Sequence, residues 1–180
     1  IFPCLKNGVH PFAGQCRHVA TVNNVPVLAE TYDCYDPAVK KETGSICHVG
    51  SLTYTRGITH LVKAAAQADC TLYLGGAFSP AAYQDEVLSL PEAAHTRYMG
   101  VLNRAQVMQL LQKSQIGMAT ILNVGQYNQY DNLATKVYEY MALGIPVILS
   151  RSSYNEKVTA QYDFGICVDP ANVDEIADAI

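Results

Sequence analysis

From Ser45 onward the chain alternates between short apolar runs and longer segments whose apolar residues recur at helical spacing. The short runs are typical of buried strands, and they lie at 46–49, 71–74, 97–99, 116–121, 146–149 and 165–168. The helical segments lie at 58–68, 80–90, 103–113, 135 up to the cap at Gly144, 155–161 and 173–180. This alternation predicts an α/β fold: a doubly wound, Rossmann-like parallel six-stranded sheet with helices on both faces.

The predicted topology indicates where a ligand would bind. The common order for six such strands is 3-2-1-4-5-6, which makes the first and fourth strands neighbours at the switch point. Ligands of open α/β sheets bind there, beyond the carboxyl ends of the strands. The loop after the first strand runs from Gly50 to Gly57, and the loop after the fourth runs from Leu122 to Thr135. We therefore expect Arg56 to face the helix that begins at Thr135.

The stretch from Asn132 to Ser150 carries the charges that suit this crevice. Lys136 lies at the start of the helix, and Glu139 lies on the same face as Thr135, four residues later. A helix N-terminus favours anions, and a second one begins at Arg56-Gly57. Two such helix starts, each with a cation, suit a diphosphate, while a carboxylate can accept hydrogen bonds from vicinal hydroxyls. The residues therefore predict a nucleotide-diphosphate pocket, which the backbone at Gly50-Ser51 can approach closely.

Composition narrows the class of protein. Of 180 residues, 49% are hydrophobic and 16% are charged, which predicts a globular protein. The formal net charge of −4 argues against a nucleic-acid partner held by a basic surface. No apolar run approaches the roughly 20 residues needed to span a bilayer. The six cysteines form no C-x-x-C pair, a usage typical of a reducing compartment, so we expect a cytoplasmic protein.

Other sites receive weaker support. Cys4, His10, Cys16 and His18 are close in sequence, but their spacing fits no ordinary zinc module. His48 is interpreted as a strand residue. The Walker A, dinucleotide-binding G-x-G-x-x-G, nucleophile-elbow and H-E-x-x-H motifs are absent from the sequence. No Asp-x-Asp motif is present either, and we expect neither a metal nor another cofactor.

The first 44 residues differ from the rest. Residues 1–25 are irregular, with several Pro and Gly breakers and one β-prone run at 19–22. Residues 26–44 are polar and rich in turn formers. We interpret 1–25 as the last piece of a preceding domain, 26–44 as a linker and 45–180 as the nucleotide-binding domain.

Four blocks of sequence carry a resemblance to a known family. They read V-G-S-L-T-Y-T-R-G-I-T-H-L-V-K-A, Y-M-G-V-L-N-R-A-Q-V-M-Q-L-L, T-K-V-Y-E-Y-M-A-L-G-I-P-V-I-L-S and F-G-I-C-V-D-P-A-N-V-D-E-I-A-D-A-I. In order and spacing they resemble the C-terminal, donor-binding half of GT-B fold glycosyltransferases of group 1, the large retaining family that builds bacterial capsules and surface polysaccharides. The resemblance covers 45–180 and implies that this is the nucleotide-sugar-binding domain. It also implies that 1–25 is the tail of a missing N-terminal acceptor domain.

The resemblance implies roles for single residues. Arg56 corresponds to the basic residue that contacts the donor diphosphate, in a loop shaped by Gly50 and Gly57. Val101 and Leu102 correspond to the backbone that meets the base.

The family's ribose and sugar contacts are matched less evenly. Glu139 corresponds to the second Glu of a motif in which two Glu are separated by seven residues, and it is implied to bind the ribose. The first Glu of that motif is replaced by Asp131, and Ser51 stands where many members have a second arginine. Lys136 is expected to supplement Arg56 at the phosphates.

The resemblance implies a retaining transfer of a sugar from a nucleotide-diphosphate sugar to an acceptor hydroxyl of a saccharide or lipid-linked saccharide. The missing domain could associate with the inner face of the membrane. The loop Asn123–Asn132, with Tyr127 and Tyr130, is expected to lie on the donor-sugar side. We expect this chain alone to bind nucleotide weakly and to be inactive. Two alternatives stay open: a sugar-nucleotide 2-epimerase of the same fold, and a non-catalytic Rossmann-like module that binds a nucleotide or a partner protein.

Overall fold

The computed structural model describes residues 5–10, 12, 14–20, 24–125 and 128–180. Within these ranges six strands form one sheet, and every neighbouring pair is parallel. The strands are β1 Ser45–Val49, β2 Thr71–Gly75, β3 Thr96–Tyr98, β4 Ile116–Ala119, β5 Val147–Ser150 and β6 Gly165–Val168. Their order, β3-β2-β1-β4-β5-β6, confirms the predicted topology.

Helices flank and connect the strands in the described part of the chain. They are α1 Leu28–Asp33, α2 Ile58–Gln67, α3 Ala82–Leu88, α4 Arg104–Lys113, α5 Thr135–Ala142, α6 Ser153–Tyr162 and α7 Val173–Ala179, of which α2 to α6 connect successive strands. Short 3₁₀ turns at Tyr54–Arg56 and Pro91–His95 precede α2 and β3. No helix in the described ranges combines the length and the apolar character that crossing a membrane requires.

The sheet is covered on both faces because successive strand residues point in opposite directions. On β1, Ile46 joins an apolar cluster with α2, α3 and α7, whereas its neighbour Cys47 joins a second cluster with α4 and α5. On β5, Ile148 belongs to the first cluster and both of its neighbours belong to the second. The doubly wound prediction is therefore confirmed.

Helix ends follow the predicted capping signals in two places. Asn103 caps α4 through a complete capping box with Gln106. After α5, Gly144 adopts a left-handed conformation with φ 64°. The amides of Gly144 and Ile145 donate to the carbonyl oxygens of Met141 and Tyr140, which is the Schellman pattern. This turn returns the chain into β5.

Two boundaries differ from the sequence expectation. Helix α3 begins at Ala82, because the amide of Tyr83 donates to the Pro80 carbonyl three residues earlier and makes a tighter turn there. The segment expected as a linker contains α1. The buried side chain of Gln112 binds the backbone just after this helix. Gln112 accepts from the amide of Asp36 at 2.7 Å and donates to the carbonyl of Cys34 at 3.0 Å. The domain boundaries stay a prediction, and the β-prone run at 19–22 falls partly outside the described residues.

Gly117 permits the contact that seats α5 on the sheet. A Cβ at this position would lie 2.5 Å from two ring atoms of Tyr140, a fully buried side chain of α5. We predict that Gly117→Ala lowers the free energy of unfolding by about 1–3 kcal/mol, the usual cost of overpacking a core. Urea denaturation would measure this loss.

Gly14→Ala is the matched control for this substitution. Its Cβ would meet nothing within 4 Å, and its φ is not positive. It should therefore leave stability unchanged or raise it slightly. Equal effects of the two substitutions would contradict the packing argument.

Candidate functional site

A cavity of about 600 Å³ lies beyond the carboxyl ends of β1, β4 and β5. Its wall includes the last residue of β1, part of α4 and the start of α5. Six of the residues predicted to bind the donor line this cavity: Gly50, Ser51, Arg56, Thr135, Lys136 and Glu139. The crevice predicted from the topology is therefore present, with the Arg56 loop on one side and α5 on the other.

The helices from α2 onward begin either with or without a side-chain cap. Helices α4, α6 and α7 are capped by the side chains of Asn103, Ser152 and Asn172. Among the described residues no side chain caps α2, α3 or α5, whose N-cap residues are Gly57, Ala81 and Ala134. The first amides of a helix lack intrahelical partners and carry a partial positive charge. The starts of α2 and α5 thus combine backbone donors with Arg56 and Lys136, as an anion requires.

Lys136 crosses the crevice towards the β1 loop. Its Nζ lies 3.4 Å from the position that a Cβ on Gly50 would occupy, so a side chain there would crowd the ammonium group. Burial and the nearby charge of Arg56 lower the pKa of Lys136 to about 7, although Cys47 and Glu139 oppose the shift. The ammonium form is therefore poorly stabilised by the protein alone, and an anion in the cavity would favour it.

Glu139 is held by Arg104, a residue that sequence reasoning missed. Arg104 Nη1 donates to Glu139 Oε1, and the carboxylate-bearing side chain is only 16% exposed. The pair brings α4 and α5 together on the cavity wall. A paired carboxylate keeps further lone pairs that can accept from hydroxyl groups. Arg104 follows the capping Asn103, and its position as the first residue of α4 was the one sequence signal that could have drawn attention to it.

Two glycines bring the loops after β1 and β2 together. Gly50 has φ 130° and Gly76 has φ 140°, conformations that residues with a side chain rarely adopt. A Cβ on Gly76 would lie 1.9 Å from the carbonyl oxygen of Gly50. Gly57, which has φ 68°, packs against the Thr120 carbonyl in the same way, at 2.8 Å from an added Cβ. These contacts fix the loop that carries Ser51 and Arg56.

The two residues implied to meet a base lie beside the cavity rather than on its lining. Val101 is 76% exposed. Leu102 is half-buried and packs against β2, since its Cδ1 lies 2.9 Å from the position of a Cβ on Gly75. They immediately precede Asn103 and the lining residue Arg104, so the backbone at 101–102 is close to the cavity.

Asp131 has a different setting from the one the resemblance implies. Its carboxylate accepts from the amides of Asn7, at 3.2 Å, and Gly8, and its own amide donates to the Leu5 carbonyl. The side chain thus binds a turn of the N-terminal segment and does not line the cavity among the described residues. Its neighbours Tyr130 and Asn132 do line it, whereas Tyr127 lies outside the described residues.

Three further residues of the site had no clear sequence signal. Asn24 lines the cavity and donates from Nδ2 to Thr135 Oγ1 at 3.1 Å. His48 is fully buried with its Nε2 2.8 Å from Lys136 Nζ. Asn132 Oδ1, like Arg104 Nε, is buried without a hydrogen-bond partner among the described residues. Such polar atoms on a cavity wall are available to a ligand.

The described residues contain no group of three His, Cys, Asp or Glu side chains arranged to hold a metal ion. Cys4, one of the four residues considered for such a site, lies outside the described ranges. The expectation that no metal or cofactor is needed stays a prediction.

A family model described as glycosyl transferases group 1 matches residues 36–180. The chain belongs to this family. The family predicted by resemblance is therefore confirmed. Among proteins of curated function, none matches the chain in sequence.

Solved structures show the same fold at low identity. AviGT4, a glycosyltransferase involved in avilamycin A biosynthesis, is 19% identical over 92% of this chain and 49% of its own, with a TM-score of 0.68. A Staphylococcus aureus TarM mutant, solved with fondaparinux, alpha-GlcNAc-glycerol and UDP, is 13% identical over 92% of this chain and 32% of its own, with a TM-score of 0.69. Anabaena Alr3699/HepE with UDP is 16% identical over 84% of this chain and 40% of its own, with a TM-score of 0.62. The chain thus has the Rossmann-like fold found in GT-B glycosyltransferases and spans half or less of these proteins.

The lowered pKa of Lys136 predicts how the free energy of unfolding depends on pH. Because that pKa falls from 10.5 to about 7 on folding, the unfolded chain binds more protons than the folded chain between these values. The contribution of Lys136 to the free energy of unfolding therefore rises with pH across this window. We expect wild type to gain stability relative to Lys136→Met as pH increases from 7 to 10, measured by urea unfolding at each pH.

Lys63→Met is the control, because Lys63 is exposed on α2. Its stability difference from wild type should stay constant over the same pH range. The contrary result is that the free energies of unfolding of wild type and Lys136→Met differ by the same amount at every pH. That result would show that folding does not destabilise the ammonium group.

Proposed function

We propose that the complete protein transfers a glycosyl group from a nucleotide-diphosphate sugar to an acceptor hydroxyl, and that this chain supplies the donor-binding half. The observation that carries the proposal is that Arg56 and Lys136 line the same cavity, close enough for their charges to interact, at two helix starts without side-chain caps. The pair Arg104–Glu139 lies on the same cavity wall. Cations suit the diphosphate, and the pair suits a ribose.

In the proposed reaction the bond between the anomeric carbon and the diphosphate oxygen breaks, and the oxygen keeps the electron pair. The acceptor hydroxyl forms the new bond to the anomeric carbon and gives up its proton. Arg56 and Lys136 would stabilise the charge that develops on the leaving diphosphate, as preorganised cations in a partly dry site do. Retention of configuration is proposed from the family alone.

The acceptor side is assigned to the remainder of the protein, because the solved relatives are at least twice as long as the part this chain matches. A second half would close the cavity and exclude water from the reaction. We propose a saccharide or lipid-linked saccharide acceptor in bacterial capsular or surface polysaccharide synthesis, in the cytoplasm or at the inner face of the membrane. Relatives solved with UDP-glucose and with a GlcNAc-glycerol support this class of donor and acceptor.

The epimerase alternative is less well supported by the contacts of its carboxylates. It requires carboxylates poised at the sugar, and the sequence offered Asp131 and Glu139. Asp131 binds the amides of Asn7 and Gly8, and Glu139 is paired with Arg104. Both carboxylates are thus engaged by partners within the chain, which disfavours the epimerase alternative.

Nucleotide binding by this chain tests the donor site. We predict that at least one of UDP, GDP and ADP binds in calorimetric titrations, and that the corresponding nucleoside binds far more weakly. Arg56→Ala should weaken diphosphate binding by about 10- to 100-fold, the equivalent of losing one charge-assisted contact. The same substitution should leave the affinity for the nucleoside unchanged.

Arg97→Ala is the matched control, because Arg97 is exposed on the edge strand β3. It removes the same charge away from the cavity and should not affect binding. If none of the three nucleotides binds, or if both arginine variants behave alike, the chain is a non-catalytic module and the proposed function is wrong.

A second prediction separates binding from turnover. The complete protein should release nucleoside diphosphate from a nucleotide sugar when a saccharide acceptor is present, as detected by mass spectrometry. This chain alone should release none, because the proposal assigns acceptor binding and the exclusion of water to the remainder of the protein. Transfer by the isolated chain would contradict the assignment of the acceptor site to the rest of the protein.

A further inference from the structure

His48 lies where β1 and β4 separate. The register between these strands pairs only Ile46 with Ile116 and Cys47 with Gly117. One residue beyond the last pair, His48 Nδ1 lies 3.2 Å from the carbonyl oxygen of Met118. The imidazole thus satisfies a backbone acceptor on the neighbouring strand at the switch point. The side chain is completely buried and faces the base of the cavity wall formed by Lys136.

The contact with Met118 favours one tautomer of the ring. A carbonyl oxygen only accepts hydrogen bonds, so Nδ1 carries the proton when it donates to Met118. In that tautomer Nε2 keeps its lone pair and lies 2.8 Å from Lys136 Nζ, which can donate to it, while Nδ1 is farther from Nζ, at 3.5 Å. The ring also hydrogen-bonds the backbone of Ser51. Burial, together with the charges of Lys136 and Arg56, lowers the pKa of His48 well below its usual value. The ring is therefore neutral near pH 7 and can serve as an acceptor.

A hydrogen bond to His48 Nε2 offsets two effects that favour a mobile, solvent-exposed Lys136 side chain. A lysine side chain loses rotamer entropy when it is held in one place, and its ammonium group prefers water. Arg56 also repels it from across the crevice, as the lowered pKa of Lys136 reflects. The other titratable groups that influence Lys136 are Cys47 on β1 and Glu139 on its own helix. Glu139 already accepts from Arg104.

We propose that His48 is a positioning residue that acts through Lys136: it holds Nζ beside the Gly50 turn, where the donor diphosphate would bind. This inference rests on the proposed function. If His48 only filled space, a phenyl ring would serve as well as the imidazole. The ring nitrogen atoms would then have no effect on anion binding.

A double-mutant cycle distinguishes the two roles. The affinities of UDP, GDP and ADP are measured for wild type, His48→Phe, Lys136→Met and the double variant. We expect His48→Phe to weaken diphosphate binding about tenfold, or about 1.4 kcal/mol. In the Lys136→Met background the same substitution should have no further effect, because a positioning residue acts only through its partner. An equal loss in both backgrounds would overturn the proposal.

Two further variants serve as controls. His48→Gln places an amide oxygen near the position of Nε2 and should restore part of the affinity, whereas His60→Phe replaces a histidine of α2 that does not line the cavity and should change nothing. Failure of the Gln variant to bind better than the Phe variant, when both are folded by circular dichroism, would count against a role for the acceptor atom.

A measurement without nucleotide keeps this inference separate from the proposed function. The ¹⁵Nζ resonance of Lys136, assigned by its loss in Lys136→Met, should titrate near pH 7 in wild type. In His48→Phe the released side chain should turn to water, and its titration midpoint should rise towards 10.5. An unchanged or lower midpoint would show that His48 does not hold Lys136. If wild type binds no nucleotide, the proposed function fails while this result still decides the role of His48.

Discussion

The separation of β1 and β4 is the constraint on which the rest of the site depends. Their crossovers leave on opposite faces of the sheet, so the two strands share only two register pairs before they diverge. The gap admits His48 between them and opens the cavity above. The charged residues that line the cavity among the described residues lie in a loop or in the first turns of a helix at this edge of the sheet: Arg56, Arg104, Lys136 and Glu139.

Apolar packing on the far side of α5 decides where its charges lie. Tyr140 is fully buried against Gly117, and the Schellman turn at Gly144 carries the chain directly into β5. With that end of the helix fixed, Lys136 and Glu139 project from its first turns onto the cavity wall. The geometry of a polar site is thus set by residues that never touch a ligand, and this explains why the stretch from Asn132 to Ser150 reads as one unit.

The fold could be predicted almost completely because its signal is local and repeated. Each strand alternates between two buried faces, and each crossover carries a helical period, so topology followed from sequence order. The charged residues Arg56, Lys136 and Glu139 were also accessible, since each lies at or near a helix start. Arg104 and His48 were missed because their roles depend on contacts 35 and 88 positions away, which no local pattern encodes. Asp131 was placed by its distance from Glu139 along a motif, and spacing alone cannot show that its carboxylate binds the amides of a distant turn.

The crevice brings like charges together in a protein whose net charge is −4. Burial, and after it the charge of Arg56, lowers the pKa of Lys136, and burial together with both cations lowers that of His48. An anion with charge spread over several oxygens would relieve the repulsion at both cations at once, which a neutral sugar or a single carboxylate could not do equally well. In the proposed function, relief of this repulsion contributes to the affinity for a diphosphate. His48 makes this arrangement possible by remaining neutral where a third charge would push Lys136 out of the crevice.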